Sequence, residues 1–314
     1  MSLSAAAAGS SAASPLPARA GLAYLLLLIV MLTWAGNAIV GRLASGNIPP
    51  FTLAFERWVG ALLLMSPLVA APLRRDWRVL RAHWRMVLAL GLFGIACFNG
   101  FLYLGLHHTT ASNAILMQAA TPPMILVANL LIYRQKATAL QVLGVALSTL
   151  GVVLVVVRAD LGVLLGLRFA VGDLMVLCGV VGWAVYTALL RDRPPVDPRS
   201  LLAATFVVGA LAMLPLAVGE WVQGQRIVWQ PITFVAFAYV AIFPSLIGYY
   251  LYNLGVGMIG GARAGQTITL MPIFGAFLAA ALLGEPLHGY HVAGMALILA
   301  GIALSALGSR RAAS

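Results

Sequence analysis

The 314-residue chain is 62% hydrophobic and 9% charged, with nineteen Lys and Arg against eight Asp and Glu, a formal net charge of +11. A water-soluble fold of this length would lack the polar side chains to cover its surface, so the composition excludes a soluble enzyme and points to an all-α integral membrane protein. Basic cytoplasmic loops facing anionic lipid headgroups account for the charge, and no nucleic-acid partner is needed.

Residues 1–20, rich in Ala, Ser and Pro, read as a disordered tail. Ten apolar stretches of membrane-crossing length follow, at roughly 22–44, 52–72, 85–106, 110–133, 139–157, 171–190, 199–219, 232–256, 264–284 and 290–308. The first is too long for a signal-peptide core and lacks a convincing cleavage site. The connections are too short for a soluble domain, and the single lysine, Lys136, lies in a short turn rather than a phosphate-binding loop, which argues against ATP hydrolysis. With a cytoplasmic N-terminus, the basic residues from Arg74 to Arg85, Arg134, Lys136, Arg191, Arg193, Arg199, Arg263, Arg310 and Arg311 fall inside. Only Arg42, Arg158, Arg168 and Arg226 fall outside, so both termini are placed in the cytoplasm.

Taken in chain order, the spans carry few polar groups. Span 1 has Trp34 and Asn37 three apart; span 2 has Glu56 and Arg57 about one turn from its outer end. Charge inside a bilayer costs about 2.5–3.5 kcal/mol, so this pair is read either as an ion pair or, through Arg57, as a contact for a substrate carboxylate. Span 3 has Asn99 and Tyr103 four apart, and His107 and His108 follow in an outer turn without the separation of a metal site. Span 4 reads Gln118-Ala-Ala-Thr121-Pro122-Pro123. In span 6, Asp173 is a stabilising charge at a helix start, and Trp183 and Tyr186 share a face. Span 8 aligns Ser245, Tyr249 and Tyr252, with Asn253 beside them, and span 9 has Gln266 one turn before Thr269 and Pro272. Trp58, Trp77, Trp84, Trp221 and Trp229 read as interfacial anchors. Cys97 and Cys178 lie in apolar spans and read as packing residues, and no cofactor or metal is expected.

The chain also matches itself. A shift of 150 residues aligns Leu104-Gly105, Pro122, Gly144 and Gly151 with Leu254-Gly255, Pro272, Gly294 and Gly301. A shift of 149 aligns Trp34-Ala35, Arg42 and Val59-Gly60-Ala61-Leu62 with Trp183-Ala184, Arg191 and Val208-Gly209-Ala210-Leu211. This gives two five-span units, 21–158 and 171–308. An odd number of crossings turns the second upside down relative to the first, the inverted-repeat plan of secondary transporters. Prolines at equivalent positions, Pro122 and Pro272, mark bent helices lining a pathway.

The doubled unit, Trp34-Ala-Gly-Asn37, the Ile48-Pro49-Pro50-Phe51 turn before Arg57, and Gly284-Glu285-Pro286-Leu287 before the last span resemble the EamA branch of the drug/metabolite transporter superfamily, over residues 22–308. Within it the chain looks most like YddG-type aromatic amino-acid exporters. The resemblance implies a bundle in which helices 1, 3, 4, 6, 8 and 9 surround a central cavity, and export from the bacterial inner membrane. Small multidrug-resistance proteins are similar to half of this fold but use a glutamate in their first helix, which is absent here.

The reading is therefore a carrier exporting amino acids, aromatic or hydrophobic ones first, by alternating access. Trp34, Tyr103, Trp183, Tyr186, Tyr249 and Tyr252 are assigned stacking contacts, and Asn37, Asn99, Gln118, Asn253 and Gln266 hydrogen bonds. The alternatives are a broad exporter of neutral drugs or metabolites and a membrane enzyme acting on lipid-linked substrates. A monomer is the default, and proton coupling is left open.

Overall fold

The computed structural model describes the backbone of residues 17–44, 46–106, 108–109, 114, 117–166, 170–283 and 287–311. Some side chains inside helices, that of Tyr103 among them, lie outside the described residues, as do His107 and the Gly284-Glu285-Pro286 turn. All regular elements described are helical. We label them α1 (Pro17–Ala44), α2 (Pro50–Ala82), α3 (Trp84–Gly91), α4 (Phe98–Leu106), α5 (Thr121–Tyr133), α6 (Ala139–Val156), α7 (Val171–Leu189), α8 (Pro198–Val222), α9 (Pro231–Val240), α10 (Gly248–Ile259), α11 (Gly261–Gln266), α12 (Met271–Leu283) and α13 (Gly289–Arg311). A single turn, Leu161–Leu165, lies between α6 and α7.

Eight helical runs are long and apolar enough to cross a membrane, and α5 is a shorter apolar helix. The chain is a multi-pass membrane protein. Helix α1 starts at Pro17, inside the stretch read as a tail, because proline suits a first helical turn. The span at 264–284 is not one continuous α-helix. It runs α11, a 3-10 turn at Thr267–Leu270, then α12 with Pro272 as its second residue. Pro122 is likewise the second residue of α5, after a turn at residues 119–120. Proline has no N–H for the preceding turn, so each helix restarts there.

Two further breaks lie 149–150 residues apart. Between α3 and α4 the backbone widens into a π-helical segment, Leu92–Cys97, and between α9 and α10 into another, Ala241–Ile247. Pro244 supplies one cause, a missing donor in the middle of the second segment. Side chains take up carbonyls at both breaks: Ser245 Oγ donates to Val240 O (2.7 Å) and Asn99 Nδ2 to Ile95 O (2.7 Å).

Helices α2 and α8 pack antiparallel, and each caps the other. Pro49 offers no side-chain cap to α2, and the first-turn N–H groups of Phe51 and Thr52 donate to Glu220, near the end of α8, at 2.8 and 2.7 Å. Thr52 Oγ1 adds a third bond at 2.8 Å. At the other end Asp76, late in α2, accepts from Asp197 N (2.9 Å) at the start of α8. Carboxylates at helix N-termini meet orphan donors and the positive end of the dipole. Beside that contact Arg199 bonds both oxygens of Asp197, at 3.0 and 2.8 Å, and holds its carboxyl down to about 2. Arg75 lies 3.9 Å from Asp197.

Helices α6 and α13 meet through glycines. A methyl at Gly144 would come within 2.5 Å of Gly301 O, and one at Gly151 within 2.7 Å of Gly294 O. Between these pairs the Ser148 hydroxyl reaches Gly144 O (3.0 Å) and Ile298 O (3.3 Å) and accepts from Gln266 Nε2 (3.0 Å). In lipid, where burying leucine gains nothing, close backbone approach and an interhelical hydrogen bond of about 0.6 kcal/mol are what join helices. Outward-facing Leu63, Leu131, Leu143 and Leu211 remain exposed and meet the acyl chains.

Candidate functional site

The core of the bundle is aromatic. Trp34 from α1, Trp183 and Tyr186 from α7, and Tyr249 and Tyr252 from α10 converge. Trp34 lies 5.2 Å from Trp183 and 5.3 Å from Tyr252 between ring centroids. Trp183 lies 5.1 Å from Tyr186, 5.5 Å from Tyr249 and 5.3 Å from Tyr252. Tilted and edge-on pairs at these distances contribute about 0.5–1.5 kcal/mol each beyond burial. Every phenol is satisfied: Tyr186 OH donates to Asn253 Oδ1 (2.7 Å), Tyr249 OH to Gly94 O (2.9 Å), and Tyr252 OH pairs with Thr187 Oγ1 (3.1 Å). Trp34 Nε1 donates to Pro244 O (3.0 Å). Gly94 and Pro244 both lie in π-helical segments, so each widened turn offers a carbonyl to the cluster.

Arg57 flanks this cluster. It is 5% exposed, its Nε donates to Ser245 Oγ (2.9 Å), and its Nη1 reaches Asn99 Oδ1 at 3.4 Å. The guanidinium lies 4.3 Å over the ring of Trp58, which in turn packs on Phe206 (4.9 Å) and Tyr249 (5.3 Å).

On the opposite side of the rings lies a cavity of about 760 Å³, lined by Gln135, Thr187, Arg191, Arg193, Arg263 and neighbouring residues. Lys136 adds a fourth cation, and no Asp or Glu is among the lining residues. This end also holds the contact between Arg75 and Asp197, so the basic loops gather on one side. The cavity touches the aromatic cluster at two places. Thr187 bonds Tyr252, and Arg193 Nη1 donates to Asn253 O (3.2 Å). The arrangement suits an organic solute with an apolar body and a few polar groups. Among the described residues no three His, Cys, Asp or Glu side chains gather to hold a metal ion.

The structure brings together Trp34, Trp183, Tyr186, Tyr249, Tyr252 and Asn253 as the spacing predicts, and sets Asn99 beside Arg57. Asn37 is half-buried a turn beyond Trp34. The side chain of Tyr103 lies outside the described residues. Gln118 bonds back to Ala114 O (3.4 Å) within its own segment. Gln266 points to Ser148 on α6, away from the rings, because an amide in lipid takes the nearest acceptor. Glu56 and Arg57 form no ion pair among the described residues; Arg57 spends its hydrogen bonds on Ser245 and Asn99. The rings expected to line a central cavity pack against one another, and among the described residues a cavity lies beside them on the arginine-rich side. Trp58 is not an interfacial anchor: it is fully buried. The stripe Ala54, Trp58, Ala61, Met65 at helical spacing carries that signal in the sequence. Trp77, Trp84 and Trp229 are more than half exposed, as anchors are. Thr187 and Arg193, missed in the sequence, carry no motif; only the fold joins them to the cluster.

A family model described as the EamA-like transporter family matches residues 21–157 and again 170–307. The chain is 26% identical over 287 residues to an uncharacterized transporter, YyaM, of Bacillus subtilis, covering 89% of this chain and 92% of that one. It is 28% identical over 286 residues to an uncharacterized transporter of Archaeoglobus fulgidus, covering 90% and 96%. It is 26% identical over 300 residues to a probable amino-acid metabolite efflux pump of Salmonella typhimurium, covering 91% and 95%. A crystal structure of a protein at 23% identity shares the fold, with a TM-score of 0.73 over 94% of this chain and 99% of the other.

Proposed function

The chain belongs to the EamA-like transporter family, and from that premise we propose that this membrane transporter exports amino acids, aromatic or hydrophobic ones first, together with related metabolites. The observation that carries the reading is the aromatic cluster against a one-sided cavity: five rings from three helices, with Asn253 and Thr187 as polar contacts at its edge. Within the family this favours the YddG-type aromatic exporters, and the relative named a probable amino-acid metabolite efflux pump supports amino-acid export.

The mechanism we infer is alternating access between two inverted five-helix units, 21–158 and 171–308, in a ten-helix bundle. Several contacts support it. Gly144 meets Gly301 while its repeat mate Gly294 meets Gly151, the partner exchange that a two-fold axis requires. Two repeat mates touch each other directly, Trp34 with Trp183 and Ser148 with Ile298. The paired π-helical segments and paired proline joints are the places where the bundle bends, converting a seal at the rings into an opening. Trp34, Asn37, Asn99, Tyr103, Trp183, Tyr186, Tyr249, Tyr252 and Asn253 contact substrate as it passes, and Pro122 and Pro272 serve as joints. Gln118 and Gln266 hold the helices on either side. Collection of the basic loops at one end supports cytoplasmic termini in the bacterial inner membrane. Because the two units complete each other, a monomer suffices.

The test is uptake of labelled phenylalanine, tryptophan and threonine into liposomes containing the purified chain, with and without a pH gradient. Saturable flux is expected, and Trp183→Ala should lower it about tenfold, the cost of about 1.4 kcal/mol of lost ring contact, at unchanged protein abundance. A gradient that accelerates flux identifies protons as the coupling ion. Flux no greater than in empty liposomes from folded protein would refute amino-acid transport.

A further inference from the structure

Among the described residues Arg57 is a cation without an anion in contact. Its guanidinium is 5% exposed within a membrane-crossing helix, yet among the described residues no carboxylate lies within ion-pair distance. Its described hydrogen bonds go to two neutral oxygens, Ser245 Oγ and Asn99 Oδ1, the second at a stretched 3.4 Å. Two of the five guanidinium donors are thereby engaged, and Nη2 has no described acceptor. Beside it the ring of Trp58, which carries the guanidinium on its face, has a buried Nε1–H with no acceptor. Donors thus outnumber acceptors at this place, and among the described residues no carboxylate balances the charge.

Packing does not require a cation here. Under the 149-residue shift Arg57 corresponds to Phe206, and the second unit fills the equivalent place with a plain ring packed on Trp58 and Tyr249. An unpaired buried guanidinium costs several kcal/mol relative to such a ring. Both partners of Arg57 are tied to the widened turns: Ser245 bonds Val240 O, and Asn99 bonds Ile95 O. A ligand that displaced Asn99 or Ser245 from Arg57 would act directly on the two π-helical segments.

Among the described residues the cavity lining has no Asp or Glu to meet an ammonium group. We propose that Arg57, with the Trp58 ring, is the site for a substrate carboxylate, and that the α-amino group is not required. The substrate class is then the organic monocarboxylate with an apolar or aromatic body, of which amino acids are one part. A guanidinium matches a carboxylate in two parallel hydrogen bonds, whereas a single cation leaves a phosphate dianion half-neutralised. This deepens the export reading above and rests on it.

The experiment is direct binding, read by tryptophan fluorescence, of 3-phenylpropanoate, phenylalanine and phenylalaninamide to the full chain in lipid nanodiscs. The two carboxylates are expected to bind, and the amide at least about tenfold more weakly. Arg57→Gln should weaken both carboxylates by about tenfold or more and leave the amide unchanged, and Arg57→Lys should restore part of the difference. Should Arg57→Gln fail to fold, the three ligands on the unaltered chain still decide. Amide binding as tight as phenylalanine, or no binding of 3-phenylpropanoate, overturns the carboxylate site. Binding of 3-phenylpropanoate without phenylalanine supports the site and removes the amino-acid reading instead.

Discussion

Glu220 shows how much one residue carries in a bundle this poor in charge. Its carboxylate ends α8 but caps α2, receiving two backbone N–H groups and the Thr52 hydroxyl at 2.7–2.8 Å. Charge-assisted bonds of this kind contribute about 1.5–3 kcal/mol each. Glu220→Gln puts an amide donor against one of those donors and removes the charge from the helix terminus. A lower thermal unfolding midpoint in detergent is expected, equivalent to about 2 kcal/mol or more; an unchanged midpoint would mean water caps α2 as well as Glu220 does. Sequence reading passed over this residue because nothing local marks a cap supplied by a distant segment. Trp34, Trp183, Tyr249 and Tyr252 pack as one group, and a bilayer leaves few places for an indole or phenol deep in a span. Trp58 reads as an anchor in the sequence because an aromatic near a span end looks the same whether it faces lipid or core.

At the level of elements, helix contacts are governed by what small residues permit. The crossing of α6 and α13 needs glycine: a methyl on Gly301 would come within 2.4 Å of Gly144 O and 2.7 Å of Ser148 N, and closer still to the Ser148 hydroxyl. Gly301→Ala therefore forces the helices apart and is expected to destabilise the chain by about 1–3 kcal/mol. Gly219→Ala in α8 is the matched control, since a methyl there meets nothing within 4 Å. It should leave stability unchanged or raise it slightly, alanine being the better helix former. Comparing the two by thermal unfolding separates close approach from helix propensity, and equal midpoints would show that the glycine contact is not needed. Eight helical runs of membrane-crossing length were legible from apolar length. Their interruptions were legible only in part: Pro122 and Pro272 announced two joints, whereas Leu92–Cys97 contains no proline and its widened turn is set by what packs around it.

Across the whole molecule, the proposed sidedness follows from the distribution of charge. The cavity opens among Lys136, Arg191, Arg193 and Arg263, while Trp229 lies at the far end, beside Val228 bonded to Asn47. In a background with Cys97→Ala and Cys178→Ala, Arg191→Cys should react with a membrane-impermeant maleimide in inside-out vesicles only. Trp229→Cys should react in right-side-out vesicles only. The opposite pattern would reverse the orientation, and labelling of both from one face would show the two positions share a side.

By itself the sequence determined that this chain lives in the membrane and that its two halves carry one repeated pattern, which the family model also matches twice. Those properties follow from composition and periodicity, since the bilayer imposes one solvent on every span and duplication leaves its register in the residues. Only the tertiary structure decided that Arg57 is buried with Ser245 and Asn99 as its described partners, that Gln266 bonds Ser148, and that a cavity lies on the arginine-rich side of the rings. Each depends on which neighbour lies within about 3 Å of a polar atom. In an apolar bundle that is settled by how helices distant in the chain approach one another, a quantity that no local pattern of residues encodes.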